Sequence, residues 1–268
     1  MKIAVVAMFK NESHILKEWL EHYLNEGVDT FFLIDNDSSD DYKPILEPYL
    51  TSKQVFLMKS KKKNAQVELY NKWLPEAKKF DWVIVVDLDE FVYARNGFKT
   101  IKDYLRTVDK DIYKIQIPWK LFGSSGLKKQ PSSVIQNFVH RKKYPESGTH
   151  TNVAQRVAEL KTISRGSHLK TINVHNSIVT DLHQCFPNKN NEDYKDTFFT
   201  LMDESTLKTH YLHLNHYRIQ SWEFYKKVKM TRGDGAVKKF NKNVRTRKYF
   251  QIHDYKDMKD TELKDKKY

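Results

Sequence analysis

The chain has 268 residues and a formal net charge of +13, with 39% hydrophobic and 30% charged side chains, 15 Tyr, 15 Phe and 5 Trp. That apolar and aromatic content supports a sizeable core and excludes a disordered chain. The single cysteine, Cys185, excludes an internal disulfide framework or a cysteine-built metal centre and fits a reducing compartment.

Ile3–Phe9 reads as a first strand. The opening run MKIAVVAMF is shorter than the ~18 apolar residues a membrane span needs, and no small-residue cleavage site follows it. Lys10-Asn11-Glu12 breaks the strand, and Ser13 is the expected N-cap of a helix over about 14–26. There Ile15, Leu16, Trp19, Leu20, Tyr23 and Leu24 recur at helical spacing, and Gly27 supplies the stop. Thr30–Ile34 is a second strand, entering the acceptor-rich turn Asp35-Asn36-Asp37-Ser38-Ser39-Asp40-Asp41. A helix over about 42–50, a strand Val55–Met58 and a basic loop Lys59–Lys63 follow. The next helix, over about 64–79, is kinked or ended by Pro75.

Trp82-Val83-Ile84-Val85-Val86 then reads as a buried strand running into Asp87, Asp89 and Glu90. Burying three carboxylates is costly unless a cation or a set of donors compensates. In an extended Asp-Leu-Asp the two aspartates share one side, and paired hard oxygens suit Mg²⁺ or Mn²⁺ held with a diphosphate. The strand–helix alternation predicts an α/β chain with a mostly parallel sheet flanked by helices. Right-handed crossovers gather the strand ends on one edge. The breaks at Lys10–Glu12, Asp35–Ser38, Lys59–Lys63 and Asp87–Glu90 then line one crevice, with acids for a metal and bases for a phosphate. Neither G-x-G-x-x-G nor G-x-x-x-x-G-K-[ST] occurs, which argues against dinucleotide oxidoreductases and P-loop NTPases.

The second half is less regular. A helix is expected over Lys99–Val108 and an alternating strand over Tyr113–Trp119. Phe122-Gly123-Ser124-Ser125-Gly126 is either a loop whose backbone approaches a ligand or a plain connection. Short strands are expected near Gln155–Val157, Lys161–Ser164 and Thr171–His175. His210, His213 and His216 lack a standard zinc spacing, so structural or surface roles are the default. Ser221 reads as the N-cap of a helix from Trp222 to about Thr231 closed by Gly233, and the charged segment from about 250 as a frayed helix or disorder. The lysine excess attracts polyanions or is simply a solvated surface; with no helix-turn-helix, zinc-finger, RRM or KH signature, nucleic acid is not expected as a partner.

Four segments together resemble GT-A glycosyltransferases related to family 2, nearest the family 92-like branch. They are Phe9–Glu12 with the helix to Gly27; Ile34–Asp40; Asp81–Phe91; and Asn215-His216-Tyr217 with Ser221, Glu223-Phe224, Lys227 and Arg232-Gly233. The likeness spans about 1–126 and 160–235. It implies a GT-A domain over 1–235, with a nucleotide-binding half to about 126, an acceptor half after it, and a basic tail over 236–268. It also implies a transferase using a nucleotide-sugar, with UDP the expected nucleotide, Mn²⁺ or Mg²⁺ as cofactor, inversion, and a glycan or lipid-linked acceptor. Lys10, Asn11, Glu12, Asp35, Asn36 and Gln66 are the implied donor contacts, with Asp87 nearer the ribose. Asp87, Asp89 and His216 are the implied metal ligands, and Asp193 and Glu146 the candidate bases. A nucleotidyltransferase using the same Asp pair and a non-catalytic polyanion-binding module are the alternatives. A cytoplasmic location, with peripheral membrane contact through the basic tail, completes the expectation.

Overall fold

The computed structural model describes residues 1–148, 153–180, 184–185, 199–232 and 245–268. Its central sheet uses β1 (Ile3–Phe9), β2 (Thr30–Asp35), β3 (Val55–Lys59), β4 (Trp82–Val85), β5 (Glu90–Ala94), β6 (Lys114–Leu121), β7 (Val157–Arg165) and β8 (Leu212–His216) in the order β3-β2-β1-β4-β7-β6-β8-β5. The first four strands run parallel, with Val5 beside Phe31 and Ile84. β7 is antiparallel to both β4 and β6, β8 is parallel to β6, and β5 is antiparallel to β8. The α/β expectation therefore holds, with the parallel half N-terminal and the mixed half built around β7.

Alternation along the strands explains the layers. Ile3, Val5, Ala7 and Phe9 of β1 and Trp82 and Ile84 of β4 join one core with Trp19, Leu20 and Tyr23 of α1 (Ser13–Asn25) and Leu46 of α2 (Lys43–Thr51). Ala4, Val6, Val83 and Val85 face the other way, onto Leu69 and Tyr70 of α3 (Gln66–Lys72). Each fully buried Val, Leu, Ile or Phe contributes about 1.5–3 kcal/mol, so a two-faced sheet of this size needs both helix layers.

Several local expectations are revised. Ser13 begins α1 instead of capping it; its N–H donates to Asp40 Oδ2 at 2.7 Å, and Glu12 occupies the cap position without a side-chain cap bond. Gly27 does end the helix, at φ 89°, where an added Cβ would also lie 2.6 Å from Lys102 Cβ. The long helix over 64–79 breaks at Trp73, with Pro75 in the first turn of a separate helix Leu74–Ala77. β6 is buried along its whole length despite its alternation, and inside it Lys114 donates to Asn176 Oδ1 at 2.7 Å and to the Ser177 carbonyl at 3.1 Å. The helix at Ser221 shortens to Trp222–Phe224 and continues as a π turn, Tyr225–Lys229. Gly233 lies outside the described residues.

The largest revision concerns the C-terminus. Residues 245–268 are folded onto the sheet domain instead of frayed. A helix Arg247–His253 packs Phe250 on Trp222 and Tyr225, and Met258–Lys259 pairs antiparallel with His140–Arg141. Tyr268 Oη meets His22 Nδ1 at 2.9 Å. Among the described residues no helix is long and apolar enough to cross a membrane.

Candidate active site

The acidic turn after β4 is clamped by α1. Trp19 Nε1 donates to the carbonyls of Asp87 and Glu90 at 3.2 and 3.1 Å, and Tyr23 Oη donates to the Glu90 carbonyl at 3.1 Å. The turn closes on itself, with the Asp87 N–H donating to Glu90 Oε2 at 2.9 Å and the Glu90 N–H to the Asp87 carbonyl at 3.1 Å. Asp87-Leu88-Asp89 is thus a turn and not an extended run. Leu88 drops into the core, leaving Asp87 and Asp89 to the polar crevice. The β5–β8 register sets Glu90 opposite His216, which fixes the late histidine beside the acidic turn.

Three internal cations meet these acids. Lys161 of β7 donates to Asp87 Oδ2 at 3.0 Å and lies 3.1 Å from Glu90 Oε2. Lys229, at the end of the π turn, donates to Asp89 Oδ2 at 2.6 Å and to Glu12 Oε1 at 3.4 Å. Arg232 grips Glu12 at 2.9 Å and the Lys10 carbonyl at 2.6 Å. Burial pushes the Asp89 carboxyl up, but Lys229 and His216 outweigh it and hold it well below the usual range. Asp87, likewise opposed by burial, is held down by Lys161. Glu90 goes the other way. Complete burial, with Asp87 and Asp89 adding to it, outweighs Lys161 and raises its carboxyl to about 8. Burial also drives His216 down to about 4, so its imidazole is neutral at pH 7 despite Asp89.

Of the residues singled out from the sequence, the structure brings most to this crevice. Gln66 Nε2 donates to Asp87 Oδ1 at 3.1 Å and to Tyr70 Oη at 2.8 Å. Asp35, at the end of β2, accepts from Tyr42 Oη at 2.7 Å and from the Ser38 N–H at 2.8 Å. Asn11, at φ 55°, accepts from the Ser39 N–H at 2.7 Å, which ties the first and second strand ends together. Asn36 Nδ2 donates to the carbonyls of Ser60 and Lys62. Lys10 lies 3.8 Å from Asp37. Glu146 is exposed and paired with Lys143 at 3.0 Å, outside the group that the crevice assembles, and Asp193 lies outside the described residues.

Two expectations change. The Lys59–Lys63 loop is not the source of positive charge: Lys59 and Lys61–Lys63 are exposed, and Lys62 pairs with Glu68 on the surface. Among the described residues, the buried cations that meet the acids of the crevice are Lys161, Lys229 and Arg232. Lys161 carried a signal, a lone lysine inside a β-rich run; Lys229 is indistinguishable from its neighbours in a lysine-rich segment. Second, Asp87, Asp89 and His216 do not converge: among the described residues no group of three His, Cys, Asp or Glu side chains forms a metal cage. Asp89 Oδ1 and His216 Nε2 alone are neighbours, at 3.5 Å. A neutral imidazole and one carboxylate still fit Mg²⁺ or Mn²⁺, which commonly take the rest of their ligands from phosphates and water. The buried His216 Nδ1 and Glu90 Oε1 have no hydrogen-bond partner, and Trp119, whose Nε1 is equally unpartnered, packs edge-on against His216 with the ring centroids 4.2 Å apart. Such atoms leave hydrogen-bonding capacity beside Asp89 that a ligand or water could use.

The family model for glycosyltransferase family 92 matches residues 3–265. A family 92 protein of Ricinus communis is 24% identical over 237 residues, covering 84% of this chain and 37% of its own length. One of Oryza sativa subsp. japonica is 25% identical over 231 residues, covering 84% and 34%. The chain therefore spans about a third of the length of these relatives. Among solved structures, S. aureus TarS residues 1–349 in complex with UDP-GlcNAc is 18% identical at a TM-score of 0.41, covering 63% of this chain and 47% of that one. GalNAc-T7 with UDP, GalNAc and Mn²⁺ is 12% identical at 0.39, covering 68% and 38%. Likenesses at this level are resemblances and nothing more. With a family model matched along nearly its whole length, the chain belongs to glycosyltransferase family 92.

Proposed function

We propose that the chain transfers a sugar from a nucleotide-sugar, a UDP-sugar, to a hydroxyl of a glycan or lipid-linked acceptor with inversion. The observation that carries the reading is the pairing of a neutral His216 with Asp89 inside a crevice where the ends of β1, β2, β4 and β8 meet. Asp35, Asn36 and the Lys10–Glu12 turn would hold the nucleoside, and Asp87, oriented by Gln66 and Lys161, the ribose. Asp89 and His216 would hold Mn²⁺ or Mg²⁺, which when bound neutralises the leaving diphosphate. Lys229 and Arg232 lie beside them and add fixed positive charge. In an inverting transfer a carboxylate takes the acceptor proton as its oxygen attacks the anomeric carbon, and the nucleoside diphosphate leaves with the bonding pair. Glu90, protonated at neutral pH, is unsuited to that role. Glu146 is engaged on the surface, so Asp193 is the base proposed.

A thermal-shift panel of nucleotides and nucleotide-sugars with and without Mn²⁺ tests this, since a ligand of the native state raises the melting temperature. A shift with UDP or a UDP-sugar that Mn²⁺ enlarges, the enlargement being lost in Asp89→Asn, is expected. A shift with NTPs and pyrophosphate release, or with heparin alone, would replace the reading by a nucleotidyltransferase or a polyanion-binding module.

A further inference from the structure

The carboxylate best placed for a divalent ion already holds a cation. Lys229 is 2% exposed, its Nζ 2.6 Å from Asp89 Oδ2 and 3.4 Å from Glu12 Oε1, with the Phe224 ring 5.7 Å away. Asp89 Oδ1 faces His216 Nε2 at 3.5 Å, so one carboxylate is shared between the lysine and the imidazole that would complete a metal site. Arg232, which shares Glu12 with Lys229, adds a second positive charge close to it. A divalent ion entering beside Asp89 would meet this charge with little water to screen it. The buried acids of the crevice therefore already carry an internal counter-charge.

The lysine also sits where it can change partner. It ends a π turn, Tyr225–Lys229, a backbone form found mostly as single turns and often at functional sites. An ammonium on a four-carbon stem is a mobile point charge, unlike the planar, bidentate guanidinium of Arg232. A nucleoside diphosphate brings the negative charge that could draw that ammonium off Asp89.

Resting on the donor-site reading above, we propose that Lys229 is the resident counter-ion of Asp89. It competes with the divalent cation for that carboxylate and transfers to the donor diphosphate when the nucleotide arrives. Divalent metal and nucleoside diphosphate are then coupled through one side chain: metal alone binds weakly, and each tightens the other reciprocally.

The test is titration calorimetry of the full chain with Mn²⁺ alone, and with UDP in EDTA. Lys229→Met should bind Mn²⁺ alone at least about tenfold more tightly than wild type, within the usual range of coupling energies. It should bind UDP in EDTA more weakly. Lys229→Arg, which keeps the charge, should show no gain for Mn²⁺. Should Lys229→Met fail to fold, because Asp89 and Glu12 are left unpaired, Asp89→Asn decides. It releases Lys229 from its partner, so UDP in EDTA should bind at least as tightly as to wild type. Unchanged or weaker Mn²⁺ binding by a folded Lys229→Met, or weakened metal-free UDP binding by Asp89→Asn, would overturn the inference alone. If no nucleoside diphosphate binds the wild-type chain, the donor-site reading falls and takes this inference with it.

Discussion

Two buried ionic clusters among the described residues, one at the C-terminal strap (residues 245–268) and one in the crevice, differ in completeness. In the one at the C-terminal strap, Arg141 donates to Glu204 at 2.7 and 2.9 Å and to Asp260 at 2.6 Å. Lys120 meets Asp260 at 2.8 Å and Tyr93 Oη at 2.8 Å, and Glu262 accepts from Tyr93 and contacts His213 Nδ1 at 2.9 Å. None of these described side chains has a buried polar atom without a hydrogen-bond partner. In the crevice, Glu90 Oε1, His216 Nδ1 and Trp119 Nε1 all do. A satisfied network fixes one structure, whereas a partly satisfied one carries the desolvation cost of its unpaired atoms. Charge and burial alone do not separate the two clusters; the unfilled hydrogen bonds do.

Breaking the strap network should have the largest effect on stability. Arg141→Met leaves Glu204 and Asp260 buried without their partner and should cost about 3–5 kcal/mol in urea unfolding. In the crevice the ranking inverts: Asp89→Asn should lower transfer by about 10²-fold or more, yet lower the urea midpoint less than Arg141→Met does. Equal losses of stability from the two would erase the distinction between frame and site.

Acid should probe both clusters at once. Burial lowers His213 and His216 to about 4, and His22 and His210 to about 3, against an ordinary value of 6.5. Through these four rings the unfolded chain binds more protons than the folded one between about pH 6.5 and 4, which Glu90, protonated in the fold, offsets at one site. The stabilisation is complete above 6.5 and is lost as pH falls through the folded values, on the order of a few kcal/mol per histidine. Urea midpoints measured from pH 7 to 4 should drop steeply, and His213→Gln should flatten part of that slope; a flat wild-type profile would refute the buried, neutral state of these rings.

Smaller effects complete the series. An added Cβ at Gly123 would lie 2.2 Å from the Tyr255 carbonyl, so Gly123→Ala should push the strap away at about 1–3 kcal/mol. Glu146→Gln removes only an exposed pair with Lys143 and should change stability by less than about 1 kcal/mol. It should leave transfer intact, where Asp193→Asn abolishes it.

The parallel half was legible because its signals are local. β-branched runs such as Trp82–Val86, the glycine after α1 and the polar breaks at strand ends each specify an element within a few residues, and right-handed crossovers then place the breaks on one edge. The mixed half was not, because its strands are short, its polar residues are covered from both sides, and nothing near Lys120 or Glu262 shows that they will meet. The strap illustrates the cost of reading composition alone: its charged residues suggested disorder, yet Glu262 and Asp260 fold in because Lys120, Arg141 and His213 wait for them.

By itself the sequence determined the α/β order, the edge on which the polar strand ends gather, and the carboxylates Asp87, Asp89 and Glu90 that lie there. Only the tertiary structure decided how those charges are balanced. Lys161 reaches Asp87 across 74 residues and Lys229 reaches Asp89 across 140. A long-range ion pair has no periodicity to read; it is set by strand register and by burial, which make an unpaired interior charge too costly to keep.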